Sequence, residues 1–269
     1  MVEIDDVHPT ERLEAPLLAE TVCYETSEGE TIQGYFARPL GVGPFACVLV
    51  IHHAAGLDEW TREVVRKFAD HGYLALCPNL LSREMRESTR TEAQELMRSQ
   101  GGVPDSRMLS DVEGGVRYLR NHPSSSSSVG IIGFCSGGRQ AYLAACSLDV
   151  NAVVDCYGGS VVAGPEKLSD RHPVAPIDLT PDLACPFLGM FGDSDHRVPL
   201  AHIHALEEAL EKYKKTYRVH IYPNVGHAFF CNVSKTYDVS AAKDGWDKIL
   251  AFFGRNLLGP TVKSGSNLD

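Results

Sequence analysis

One stretch restricts what this chain can fold into more than any other. It is Val129 to Gln140, Val-Gly-Ile-Ile-Gly-Phe-Cys-Ser-Gly-Gly-Arg-Gln. An apolar run ends in a Gly-x-Cys-x-Gly turn at 133–137, and residues 139–147 read as helix. Strand, one nucleophile between glycines, then helix is the context a nucleophile elbow requires. Such a turn is so tight that its central residue is strained, and that side chain is lifted above the sheet edge. Gly133 and Gly137 lack Cβ atoms, so the strand and helix backbones can close on each other. The helix then aims its positive end at the turn, which favours a thiolate and a developing oxyanion. Centring the motif on Ser136 would put Phe134 where the first glycine belongs. Centring it on Cys135 puts glycines on both sides, so Cys135 is the expected nucleophile. A buried, inert cysteine beside a glycine-rich helix start would give the same local pattern. The rest of the chain weighs against that reading.

Thr21 to Thr26 and Thr31 to Ala37 read as a hairpin around Ser27-Glu28-Gly29-Glu30. Cys47 to Ile51 is a continuous apolar run, suited to a strand covered on both faces. After the turn His52-His53-Ala54-Ala55-Gly56, Asp58 is placed to cap a helix carrying Trp60, Val64 and Phe68 on one face. Tyr73 to Cys77 is the next strand. Residues 82–102 are charged and helix-prone, and are placed to cap the site. Met108, Val112, Val116 and Leu119 mark a helix running to Pro123 and the Ser124–Ser128 run, which reads as a surface loop. Strands at 152–156, 187–191 and 217–222 follow. Helices carry Ile203, Leu206, Leu210 and Tyr213, then Ala242, Trp246, Ile249 and Phe253. Residues 158–183, rich in Pro, Gly and Asp, read as a surface excursion.

Strands alternating with helices from 47 to 253 predict a doubly wound, mostly parallel α/β sheet with the antiparallel hairpin at one edge. The expected organisation is a flexible segment 1–15, one domain 16–258 and a flexible tail 259–269. The 269 residues are 43% hydrophobic, enough for a substantial core. A net charge of −10 with no basic patch argues against nucleic-acid binding. No apolar run is long enough to cross a membrane, and Met1-Val-Glu-Ile-Asp-Asp does not resemble a secretory leader. The eight cysteines are scattered in apolar runs without Cys-x-x-Cys pairs, which fits reduced thiols in a cytoplasm and no metal site. Nothing in the pattern sets an oligomeric state.

In a sheet of this kind reactive groups collect at the carboxyl ends of strands. Three such ends supply Cys135, Asp195 and His227, in the order nucleophile, acid, histidine of the α/β-hydrolase fold. Asp195 is preferred over Asp193 because Asp-x-x-Val-Pro leads directly into a helix; Asp193 reads as a turn carboxylate. His227 follows a glycine after the last strand, whereas His202, His204 and His220 fall within helix or strand patterns and read as ordinary surface groups. The oxyanion hole is expected from the N–H groups of Ser136 and Ala54. His53 reads either as a locally bonded turn residue or as a second polar group on substrate or thiol. Trp60 and Tyr157 are candidate lining groups, with core packing the alternative.

With these residues in view, the chain resembles the dienelactone hydrolase family from about Thr21 to Leu257. Gly-Phe-Cys-Ser-Gly-Gly at 133–138 is similar to that family's elbow. Gly192-Asp-Ser-Asp-His-Arg-Val-Pro199 resembles its acid loop, and Tyr222-Pro-Asn-Val-Gly-His-Ala-Phe-Phe230 its histidine loop. His71-Gly-Tyr-Leu-Ala-Leu-Cys-Pro78 resembles its strand entry. The resemblance implies a cofactor-independent hydrolase of small carboxylic esters or lactones, working through an acyl-thioester. Two positions depart. The family has a glutamate where this chain has His53, and a carboxylate-binding arginine where it has Cys231. A substrate other than the dienelactone is therefore expected. The rival readings are an acyltransferase on the same triad, and a ligand-binding protein that kept the fold without turnover.

Overall fold

The computed structural model describes residues 16–258. The two end segments expected to be flexible, 1–15 and 259–269, lie outside them. The strand β3 (Phe45–Ile51) is buried from Ala46 onward, as an apolar run covered on both faces must be. Around it an eight-stranded sheet runs in the order β1-β2-β4-β3-β5-β6-β7-β8. Its other strands are β1 (Leu17–Glu25), β2 (Thr31–Pro39), β4 (Leu74–Pro78), β5 (Ser125–Phe134), β6 (Ala152–Cys156), β7 (Phe187–Gly192) and β8 (Tyr217–Tyr222). β1, β2 and β4 pair antiparallel, while β4 through β8 are parallel to their neighbours. This is the doubly wound α/β-hydrolase sheet with an N-terminal hairpin at one edge.

Alternate residues of each strand feed opposite faces. Cys47, Leu49 and Ile51 pack with α3 (Asp105–Asn121), α4 (Ser136–Ser147) and α5 (Leu200–Lys212). Val48 and Val50 pack with α1 (Glu59–Asp70) and α6 (Val239–Leu257). Asp58 caps α1 as expected, accepting from Thr61 N at 2.9 Å. The helix-prone segment 82–102 forms only a single turn at Glu84–Arg86 and α2 (Arg90–Ser99), whose Thr89–Glu92 capping box fixes its start. No described helix is long and apolar enough to cross a membrane.

The serine run corrects the sequence reading. Ser125 to Ser128 begin β5 instead of forming a loop, with Phe45 paired to Ser125 and Cys47 to Val129 across a bulge. Pairing with an already committed neighbour overrides the weak strand preference of serine. Tyr213, expected on the apolar stripe of α5, lies at its C-cap and is exposed.

Strand and helix meet most closely at the elbow. A Cβ on Gly133 would stand 1.8 Å from the carbonyl oxygen of Gly137, and one on Gly137 would stand 2.3 Å from that of Ile51. Backbone cannot rotate away as a side chain can. Gly133→Ala is therefore expected to destabilise the fold by about 3 kcal/mol or more, a fall in Tm of roughly 6–12 °C by scanning calorimetry. A Tm within 2 °C of the parent protein would refute this account of the turn.

Candidate active site

Cys135 links β5 to α4 at φ 56° and ψ −119°, a conformation only a tight turn imposes on a residue with a side chain. Its N–H donates to the Cys156 carbonyl at 3.0 Å, and its carbonyl accepts from Gly138 N at 3.0 Å. The thiol is held above the sheet, partly exposed, at the start of α4.

The acid loop leaves β7 and the histidine loop leaves β8, and the two are locked together. The Asp193 N–H donates to Tyr222 O and the Ser194 N–H to Val225 O. Asp193 also accepts from the Asn224 N–H at 2.7 Å, so this exposed carboxylate fastens the loops to each other. Asp195, only 3% exposed, faces the other way. One of its oxygens accepts from Arg197 N and Val198 N, and the other accepts from His227 Nδ1 at 2.7 Å. The hydroxyl of Thr236 donates to the His227 carbonyl, and Tyr157 packs edge-on against the imidazole at 5.1 Å between centroids.

Electrostatics couple the three groups. Burial resists ionisation of the Cys135 thiol, but His227 and the Ser136 N–H outweigh it and hold the pKa below the ordinary thiol value. Burial likewise opposes protonation of His227, yet Asp195 and Cys135 raise it to about 9. Asp195 titrates below the usual carboxylate range, because the His227 bond and two amides overcome its burial. His227 Nε2 is buried and has no hydrogen-bond partner of normal geometry among the described residues, although Cys135 perturbs the ring. In enzymes, contacts between a nucleophile and its base are commonly long before substrate arrives.

The turn after β3 is fixed by His52. Its Nδ1–H donates to His53 O at 2.8 Å, and its Nε2 accepts from Leu80 N at 3.2 Å. That pattern requires the neutral ring, and burial pushes its pKa down to about 4. Ala54 and Ser136 both line a cavity of about 710 Å³ that opens beside the elbow under α2. His53 lines it too, with Nε2 bonded to Asp58 at 2.8 Å. Trp60 and Tyr157 do not line it. Trp60 packs between His53 and Phe134, and Tyr157 is 1% exposed beneath His227. Cys231 is buried in the core.

Two features escaped the sequence reading. Asp155 lies at the end of β6, wedged against Gly138 and Gly158, where it accepts from Gly158 N at 2.7 Å. Burial pushes its carboxyl up to about 7. A carboxylate inside the buried run Ala152–Cys156 was its signal. Arg139 on α4 makes a buried two-pronged ion pair with Asp105 at 2.6 and 2.9 Å, and His172 joins it at 3.0 Å. Nothing in the sequence links those positions. Among the described residues no group of three or more His, Cys, Asp or Glu side chains could hold a metal.

Comparisons with known proteins agree with this architecture. A Yersinia pestis protein, named as a candidate carboxymethylenebutenolidase, is 32% identical over 252 residues, covering 91% of this chain and 93% of that one. The crystal structure of a candidate dienelactone hydrolase from Klebsiella pneumoniae superposes with a TM-score of 0.79 at 30% identity, over 89% of this chain and 99% of that one. An acylaminoacyl peptidase from Pyrococcus horikoshii shares the fold at a TM-score of 0.70 and 16% identity, over 91% of this chain and 42% of that one. The model of the dienelactone hydrolase family matches residues 32–257, from the second strand to the last residue of α6, and this chain belongs to that family.

Proposed function

We propose that this protein is a cysteine hydrolase of carboxylic esters or lactones that needs no cofactor. Cys135 attacks the carbonyl carbon, and the N–H groups of Ser136 and Ala54 receive the oxyanion. His227 gives its proton to the leaving alkoxide, which departs as the alcohol and leaves an acyl-thioester on Cys135. The now neutral His227 then takes a proton from water, whose oxygen attacks the thioester and releases the acid. Asp195 keeps the imidazole in the tautomer that presents Nε2 to the sulfur. The observation that carries this reading is the 2.7 Å bond from His227 Nδ1 to Asp195, which leaves Nε2 unpaired, beside a strained-turn thiol whose pKa His227 lowers. Family membership supports hydrolysis of lactones or esters as the reaction class. Cys231 is buried and uncharged, so it supplies no counterion for a substrate carboxylate.

The pKa directions give a test. The thiolate forms as pH rises through the lowered Cys135 pKa, and the imidazolium is lost above about 9. With an alkyl ester, kcat/KM is expected to be bell-shaped, its basic limb near 9 and its acidic limb below the ordinary thiol range of about 8.5. With a p-nitrophenyl ester, whose leaving group needs no proton, the basic limb should flatten. An acidic limb at the ordinary thiol value would count against the ion pair.

A further inference from the structure

The cavity beside the elbow carries a chemistry that the triad does not explain. Its walls are apolar at Leu80, Leu81, Met97, Val103 and Val174. Two neutral amides interrupt them. Gln140 is 8% exposed and lines the cavity, and its side-chain amide makes no hydrogen bond to another described residue. It lies four residues after Ser136, on the same face of α4 and one turn from the expected oxyanion donor. Gln94 on α2 lines the cavity as well, and its buried Nε2 is also without a partner. That nitrogen stands 3.5 Å from where a Cβ on Gly56 would be, which places it beside the turn carrying Ala54. Arg90 fixes α2 to the same turn by donating to Ala55 O at 3.0 Å.

Charge inside the cavity is already spent. Arg139 is held two-pronged by Asp105, whose carboxylate also takes His172. The remaining charged groups, Glu95, Arg98 and Lys167, are exposed at the rim, carry both signs, and give little in solvent. An anionic group carried inward would lose its hydration without gaining a free cation. A neutral oxygen would instead accept from the buried, unpartnered Nε2 of Gln94 and from the amide of Gln140.

We infer that this cavity selects an uncharged ester or lactone whose apolar body fills the space under α2 and whose second polar oxygen is bound by Gln94 and Gln140. The inference rests on the hydrolase reading above and narrows its substrate class.

Three matched p-nitrophenyl esters test it: the hexanoate, the 6-acetamidohexanoate and the adipate half-ester. In the parent protein, kcat/KM for the acetamido ester is expected to exceed that for the adipate at least about tenfold, the worth of one good hydrogen bond. In the Gln94→Met, Gln140→Met double variant, the ratio of acetamido to hexanoate rates is expected to fall at least about fivefold. An adipate rate equal to or above the acetamido rate overturns the inference, as does a ratio unchanged in a folded double variant. Should that variant not fold, the parent protein's ratio decides alone. Mass spectrometry of each incubation separates the two levels of failure. Acyl adducts on Cys135 formed equally from all three esters defeat only the selectivity. No adduct and no turnover with any ester defeats the hydrolase reading and this inference with it.

Discussion

Cys135→Ala is expected to lower turnover of a p-nitrophenyl ester by about 10⁴-fold or more, to the level of the buffer reaction plus whatever the oxyanion donors supply alone. Alanine carries the same Cβ as cysteine, so the strain at the positive φ of the elbow is unchanged and a change in fold should not be the cause, which an unchanged Tm would show. The alanine protein should also form no acyl adduct by mass spectrometry. Cys135→Ser is expected to retain part of the activity, because the hydroxyl occupies the same place above the sheet and His227 remains to take its proton. It loses the lowered thiol pKa, however, and with it the ready supply of anion. Substantial turnover by purified Cys135→Ala would remove the nucleophile assignment.

Asp195→Asn is the second large effect, expected at about 10³- to 10⁴-fold in kcat/KM. One side-chain oxygen can still accept from Arg197 and Val198. The amide group then faces His227 Nδ1 and donates to it, so Nδ1 must become an acceptor. The proton moves to Nε2, which can no longer take one from the thiol or from water. The imidazolium also loses its carboxylate partner, so the His227 pKa falls from about 9 and the Cys135 pKa rises. Alkylation of Cys135 by iodoacetamide at pH 7 should slow accordingly, a readout that requires no substrate. Asp193→Asn should do neither, since that carboxylate reaches Asn224 and not the imidazole. Equal losses in the two variants would mean that the acid has been misassigned.

Much of this molecule was legible in the chain because its strongest constraints are local. The elbow needs glycines at fixed offsets around Cys135. The strands are short apolar runs between turn residues. The three candidate residues, Cys135, Asp195 and His227, each follow a strand, so the sheet itself gathers them. What could not be read depends on partners distant in sequence. Ser125–Ser128 form a strand because β3 pairs with them, which no property of four serines announces. Trp60 and Tyr157 carry the same aromatic surface whether they line a cavity or fill a core, and only packing against Phe134 and His227 decides. The Arg139–Asp105 pair joins α4 to the start of α3, 34 residues apart, and a sequence gives no sign of which arginine meets which aspartate. The position of segment 82–102 along the chain points to a cap, and α2 within it roofs the cavity.

The glycine contacts around the elbow have a consequence for anyone who would alter this protein. Positions 133, 137 and 138 face backbone or a buried carboxyl so closely that a methyl group finds no room at any of them. A mutagenesis library spread over the turn would consist mainly of misfolded members. Diversity has to be placed elsewhere, in α2 and in the excursion that carries Lys167 and Val174, where exposed side chains border the cavity without bearing on the sheet. New preferences can then be sampled there while the chemistry stays anchored.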